Sequence, residues 1–331
     1  MNPRRILAAA ALTLSLVGCS GRGGAPTPTT EASPEASPTA AAPTLPPGTV
    51  TEIPVAEGPN TLAATANAIW VEGHRANIVS RIDPAKDREV ERLEDVTAHC
   101  VVSSGGGAVW ATNAHADVVT KVDPENGAVL GKIEIPDACG VAADEQDLWI
   151  VSPGLGRVFR YDVATLTRKA EIELGPSPFL VAIGTDAIWV AGEASGGILY
   201  RIDPATNTKV SEISVKTPFA SGLAVGFGAV WVLSRELSAI YRVDPATNTI
   251  AATIKMRSLV GGIAIGSSAI WASGWEDGTI HRIDPTTNEI TDSIDTDYGT
   301  LGPLLEAFDS LWVSAMDRNL VLRIDPGAIV N

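Results

Sequence analysis

Basic side chains are in the minority in this chain: 24 Lys and Arg stand against 39 Asp and Glu, a formal charge of −15. A phosphate-tracking surface displaces counterions with a basic patch, so nucleic acid is excluded as an expected partner. Helical apolar spacing is also missing, which excludes helical repeats. The one sizeable apolar run, Ile6 to Val17, is too short to cross a bilayer. No nucleophile elbow, P-loop or dinucleotide fingerprint occurs. The four histidines show no metal-ligand spacing, and cysteine is limited to three residues.

What the chain does have is a repeat. Its clearest copy spans residues 181–213: a short apolar strand (Val181, Ala182, Ile183), a Gly-containing turn, Ala187-Ile188-Trp189-Val190, a variable loop, Tyr200-Arg201-Ile202-Asp203-Pro204, and an alternating strand through Val210 and Ile213. The Trp recurs at Trp70, Trp110, Trp149, Trp189, Trp231, Trp271 and Trp312, and the Asp at Asp83, Asp123, Asp162, Asp203, Asp244, Asp284 and Asp325. Four short strands every 39 to 42 residues predict an all-β, seven-bladed β-propeller. The array begins out of phase. Thr49 to Val55 matches a fourth strand, and the chain stops just after a third, so the N-terminal strand is expected to complete the last blade and close the ring.

Within each unit the first two strands are apolar on both sides, as in Gly261 to Ile265 and Ala269 to Trp271. That pattern suits strands sandwiched between neighbouring sheets, with each Trp a wedge between blades. In the Asp-Pro turns the Asp accepts backbone hydrogen bonds, Pro presets φ, and Asn207, Asn248, Asn288 or Gly127 takes the positive-φ position. Val163 replaces Pro in blade 3.

Ahead of the repeats, residues 1–18 have a basic start (Arg4, Arg5) and the apolar run, and end in Leu16-Val17-Gly18-Cys19. This segment reads as a secretory signal, and its end resembles the lipobox of bacterial lipoproteins. The resemblance implies lipidation of Cys19, membrane anchoring and a place in the bacterial cell envelope, outside the cytoplasm. Residues 19–48, almost wholly Pro, Ala, Thr, Ser, Glu and Gly, cannot bury enough apolar surface to order themselves and read as a disordered tether. The propeller is assigned to 49–331 and expected to be monomeric.

Ala-Ile-Trp-Val and Arg-Ile-Asp-Pro-x-Thr-Asn resemble the YVTN-type β-propeller repeats of bacterial extracytoplasmic proteins over about residues 49–331. A neighbouring group, the virginiamycin B lyases, shares a similar seven-bladed repeat and uses a His with a carboxylate-held Mg²⁺ on one face. Those enzymes repeat a Trp-Phe-Thr-Glu-like segment, whereas here only Trp70-Val71-Glu72 places a carboxylate two residues after the Trp. No catalytic residue is therefore carried over.

A scaffold needs a residue in every blade, while a site needs it once. The copies disagree in the loop after the Trp and in the connection to the next blade, which a propeller places on one face around the channel mouth. Candidate ligand-binding residues on that face are Glu72, His99, Asn113, Glu193, Arg235, Glu236, Trp275, Glu276 and Asp317, with His74, His115, Asp295, Asp297 and Arg318 nearby. Trp275, out of register with the other seven, either stacks on a ligand or packs over a blade edge. His99 near Glu72 suits acid–base work or metal ligation, or is simply hydrogen bonded. Cys100 and Cys139, each ten residues before a Trp, either form a disulfide or remain small buried thiols.

Together these features point to a ligand-binding or protein-interaction platform whose partner is an envelope protein or a small ligand. No cofactor is required, and the funnel carboxylates leave room for a divalent cation. The rival expectation is a metal-assisted lyase or hydrolase of the virginiamycin B lyase-like type.

Overall fold

A computed structural model describes residues 43–46, 48–192, 197–217 and 219–329. The segments assigned to the signal, Cys19 and most of the tether lie outside this range, as does Glu193.

Among the described residues, twenty-eight strands form seven antiparallel four-stranded sheets. Blade 1 consists of β2 (Pro59–Ala64), β3 (Ile69–Gly73), β4 (Ile78–Asp83) and β5 (Arg88–Leu93). Blades 2 to 6 repeat it as β6–β9 (102–134), β10–β13 (141–173), β14–β17 (178–214), β18–β21 (220–255) and β22–β25 (260–295). The seventh sheet joins the two ends of the array. There β1 (Val50–Pro54) lies on β28 (Leu320–Ile324), followed by β27 (Ser310–Ala315) and β26 (Leu301–Ala307). Val50 pairs with Ile324 and Pro54 with Leu320, while Gly58 N–H donates to Asn319 Oδ1 at 3.0 Å across the join to blade 1. The expected closure is therefore the observed one. Residues 43–45, within the segment 19–48 read from composition as a tether, bond to the outer edge of blade 6: Asp295 N–H donates to Pro43 O at 2.9 Å and Leu45 N–H to Asp295 O at 3.2 Å.

The burial patterns account for the apolar second strands. All five residues of β3 are buried, whereas the outer strand β5 alternates between exposed and partly covered positions. Each repeat Trp is almost fully buried among residues of adjoining sheets. The recurring basic residue on the third strand explains why it accompanies the Trp. Arg201 lies over the Trp189 ring, 5.4 Å from its centroid, and donates to Pro245 O at 2.7 Å in the next blade's Asp-Pro turn. Arg323 does the same from blade 7 to Pro84 O of blade 1, and Lys121 reaches Val163 O, so blade 3 keeps the staple without its Pro. A register shift beside this residue recurs in blades 1 to 6, as at Arg81/Ile82 and Arg201/Ile202. Bulges of this kind re-aim side chains.

Candidate functional site

The loops after the Trp strands and the blade-to-blade connections share one face. On it, blades 1 and 2 bring together groups that are far apart in sequence. His74 follows β3, His99 precedes β6 (Val102–Gly105), and His115 follows β7 (Ala108–Asn113). Their imidazoles form a continuous stack, with centroids 4.0 Å apart from His74 to His99 and again from His99 to His115. His115 is exposed and the other two are half-buried, so the stack rises from the protein surface.

Glu72 supports the base of the stack. Its carboxylate is wholly buried, at a strand position where the other blades carry Thr112, Val151, Ala191, Leu233, Ser273 and Ser314. Three side chains converge on it at 3.0 Å: Asn60 Nδ2, the Thr61 hydroxyl and His74 Nδ1. These bonds supply what a buried charge requires. The hydrogen bond to Glu72 raises the His74 pKa above the usual histidine value, against the opposing effect of burial. With Nδ1–H committed to the carboxylate, His74 Nε2 is left as the acceptor of the neutral ring.

His99 has the opposite balance. Burial lowers its pKa, and the charges of His74 and His115 lower it further. Its Nδ1 donates to His74 O at 3.2 Å, and its backbone N–H to Thr112 O at 3.0 Å, fixing the ring between its neighbours. Asn113 positions the third ring. Buried, it donates to Asn77 Oδ1 at 2.9 Å and accepts from the backbone N–H groups of His115 and Ala116 at 3.0 Å. Next to His99, Cys100 is joined to Cys139 of the following blade, with Cα atoms 5.2 Å apart.

The remaining candidates lie elsewhere on the face. Arg235 stands over Trp275 at 3.9 Å from the ring centroid and donates through Nε to Val260 O at 3.3 Å, bridging blades 5 and 6. Trp275 is half-buried as the cover of this cation, which joins the two readings of it: one side packs while the rest remains accessible. Glu236 and Glu276 are exposed on either side. Asp317 pairs with Arg75 at 3.3 Å across the closure between blades 7 and 1, an exposed pair of little energetic weight. Arg318 lies 5.3 Å from the Tyr298 ring centroid and donates to Asp297 O.

The structure thus brings together Glu72, His99 and Asn113, adds His74 and His115, and leaves Arg235, Glu236, Trp275 and Glu276 as a second patch. The fourth histidine, His281, is buried within blade 6 between Thr279 and Ser293. Among the described residues no group of three or more His, Cys, Asp or Glu is arranged to hold a metal ion. Stacked rings explain this for the histidines, because faces in contact do not direct their nitrogens to a common point.

A family model described as a protein of unknown function, DUF1513, matches residues 58–175, the stretch that carries the stack. No curated protein matches the chain in sequence. Virginiamycin B lyase from Staphylococcus aureus superposes with a TM-score of 0.70 at 18% identity, covering 83% of this chain and 98% of that one. A catalytically inactive variant of that lyase with quinupristin gives the same values. Kuenenia stuttgartiensis hydrazine synthase also gives 0.70, at 12% identity over 82% of this chain and 97% of the other. The likeness is one of fold. An antibiotic lyase and a hydrazine synthase on the same scaffold leave the chemistry to the side chains of the individual face.

Proposed function

We propose that this chain is a lipid-anchored propeller of the bacterial cell envelope that recognises a ligand or partner through its variable face, with the histidine stack as the centre of recognition. The observation that carries this reading is the convergence of His74, His99 and His115 above a carboxylate that occurs in one blade alone. Hydrogen bonds from Glu72, Asn113 and the backbone preset the rings, so a ligand meets a surface already ordered. Imidazole faces and edges suit a planar or polar partner. The exposed Trp275 edge offers a second contact across the channel mouth.

The rival reading, a lyase or hydrolase, draws on one feature, the Glu72–His74 pair. A carboxylate that orients an imidazole leaves the distal nitrogen available as a general base. The two readings separate by experiment. Proximity cross-linking in native envelopes would compare the wild type with a His99→Ala, His115→Ala variant and a Trp275→Ala, Glu276→Ala variant. A discrete partner lost from the first variant supports recognition centred on the stack. Capture unchanged in both variants overturns it, and metal content and turnover of small-molecule substrates by purified protein then become the deciding measurements.

A further inference from the structure

The opposite face carries a groove of about 510 Å³ between blades 4 and 5, lined by Thr185, Trp189, Arg201, Val225, Phe227 and Pro245, among others. What distinguishes it is the hydrogen bonding of the indoles around the ring. Trp110, Trp231 and Trp312 each donate Nε1–H to a backbone oxygen of their own preceding turn. Trp70 donates to the Thr65 hydroxyl at 3.1 Å. Trp271 donates to the Glu306 carboxylate of the next blade at 2.7 Å, and the other Glu306 oxygen accepts from Ser267 N–H at 2.9 Å. Burial alone would raise the Glu306 pKa, but these hydrogen bonds hold it below the ordinary value.

Blade 4 has the same two donors without the acceptor. Trp189, 2% exposed, has no acceptor for its indole N–H among the described residues, and neither does Thr185 N–H, the counterpart of Ser267. Val225 stands where Glu306 stands in blade 7, six residues before the Trp of its blade. Gly184 replaces the Thr65 of blade 1, and a Cβ there would lie 3.1 Å from Trp189 Nε1, so glycine leaves the N–H uncovered. Among the described residues the Trp149 indole of blade 3 is also without an acceptor, but it is the Trp189 indole that lines this groove. Phe227, 40% exposed and held at φ 51°, forms an apolar wall in a conformation that bulky residues seldom adopt.

We propose that the groove between blades 4 and 5 binds a small monocarboxylate with an aryl or alkyl body. Its carboxylate oxygens would accept from Trp189 Nε1–H and Thr185 N–H, as those of Glu306 accept from Trp271 and Ser267 two blades on. Arg201, stacked on Trp189 and lining the groove, adds positive charge, while Phe227, Val225 and Pro245 receive the apolar body. Asp186 at the exposed rim disfavours a second carboxylate. The groove between blades 7 and 1, about 540 Å³, is an internal control, because the Trp312 indole of blade 7 does not line it and is already engaged by Ala307 O.

The test follows the indole N–H resonances of the ¹⁵N-labelled protein during titration with 3-phenylpropionate and, separately, with its neutral amide. The Trp189 resonance is assigned from its loss in Trp189→Phe. The expected result is a saturable shift of Trp189 in the millimolar range with the carboxylate only, with Trp312 and Trp271 unmoved. Val225→Glu, which supplies an internal carboxylate, should displace the resonance before titration and weaken the response by about tenfold or more. Gly184→Ser, which offers a hydroxyl as Thr65 does, should weaken it independently. No saturable shift of Trp189, an equal response to the amide, or full binding in both capped variants would overturn the proposal.

Discussion

Removing the Glu72 carboxylate tests whether a buried carboxylate found at this strand position in one blade alone organises the face. In Glu72→Ala, Asn60 Nδ2, the Thr61 hydroxyl and His74 Nδ1 lose their common acceptor. Hydrogen bonds to a charged group contribute about 1.5–3 kcal/mol each, which sets an upper bound near 9 kcal/mol for the three. Asn60, Thr61 and His74 are only partly buried, and the vacated space adjoins them, so water replaces much of the loss. The expected destabilisation is about 3 kcal/mol, measured by urea unfolding at neutral pH. Glu72→Gln keeps the volume and one acceptor oxygen, and should cost about 1 kcal/mol. The two variants should agree in a second measurement: without the carboxylate, the His74 pKa falls from its raised position toward the ordinary histidine value, read by NMR titration. A loss in Glu72→Ala below about 0.5 kcal/mol, or an unchanged His74 titration, would refute the argument.

The Cys100–Cys139 link spans 39 residues, worth about 4 kcal/mol by loop entropy, so Cys100→Ser, Cys139→Ser should lower the Tm of this large domain by about 7 °C. Thiol alkylation of the unreduced, denatured protein should add no mass at these two positions. The stack should respond to acid with opposite signs at its two inner rings. The raised His74 contributes stability that is full below the usual histidine pKa and fades as pH rises through its folded value. The lowered His99 contributes stability that is present above the usual value and fades as pH falls through its own folded value. His115→Ala removes one like charge from His99, so NMR titration should show the His99 pKa rising and the loss of stability below the usual histidine range diminishing. Trp275→Ala uncovers Arg235 and should cost about 1 kcal/mol by urea unfolding.

The architecture was legible because it is written seven times. The spacing of Trp and Asp, the apolar second strands and the out-of-phase start lead to the seven blades and to the β1–β28 pairing. Less was legible where a feature depends on which loops meet. His74 and His99 are 25 residues apart, and no ligand-like spacing links them; only the placement of both on loops of adjacent blades, on one face, announced their meeting. The burial of Glu72 could not be read from its neighbours in sequence, because Asn60 and Thr61 reach it from the preceding strand. The repeated Arg or Lys was recognisable as scaffold from its recurrence, but its target, the turn of the following blade, emerges only when the blades lie side by side. The bare Trp189 indole is a difference in what surrounds a repeated residue, which a pattern of repeats conceals.

The sheet that holds Val50 opposite Ile324 has a consequence for the life of the chain before it works. Among the described strands, the first to be made waits for the twenty-eighth. Six blades can form as the polypeptide is delivered, but the seventh must wait for β28. A chain cut short before β28 would leave β1 and β27 without their shared partner and expose their unpaired edges to its neighbours. Closure of the ring therefore waits on β28, and a copy that lacks this strand has no partner with which to lock β1.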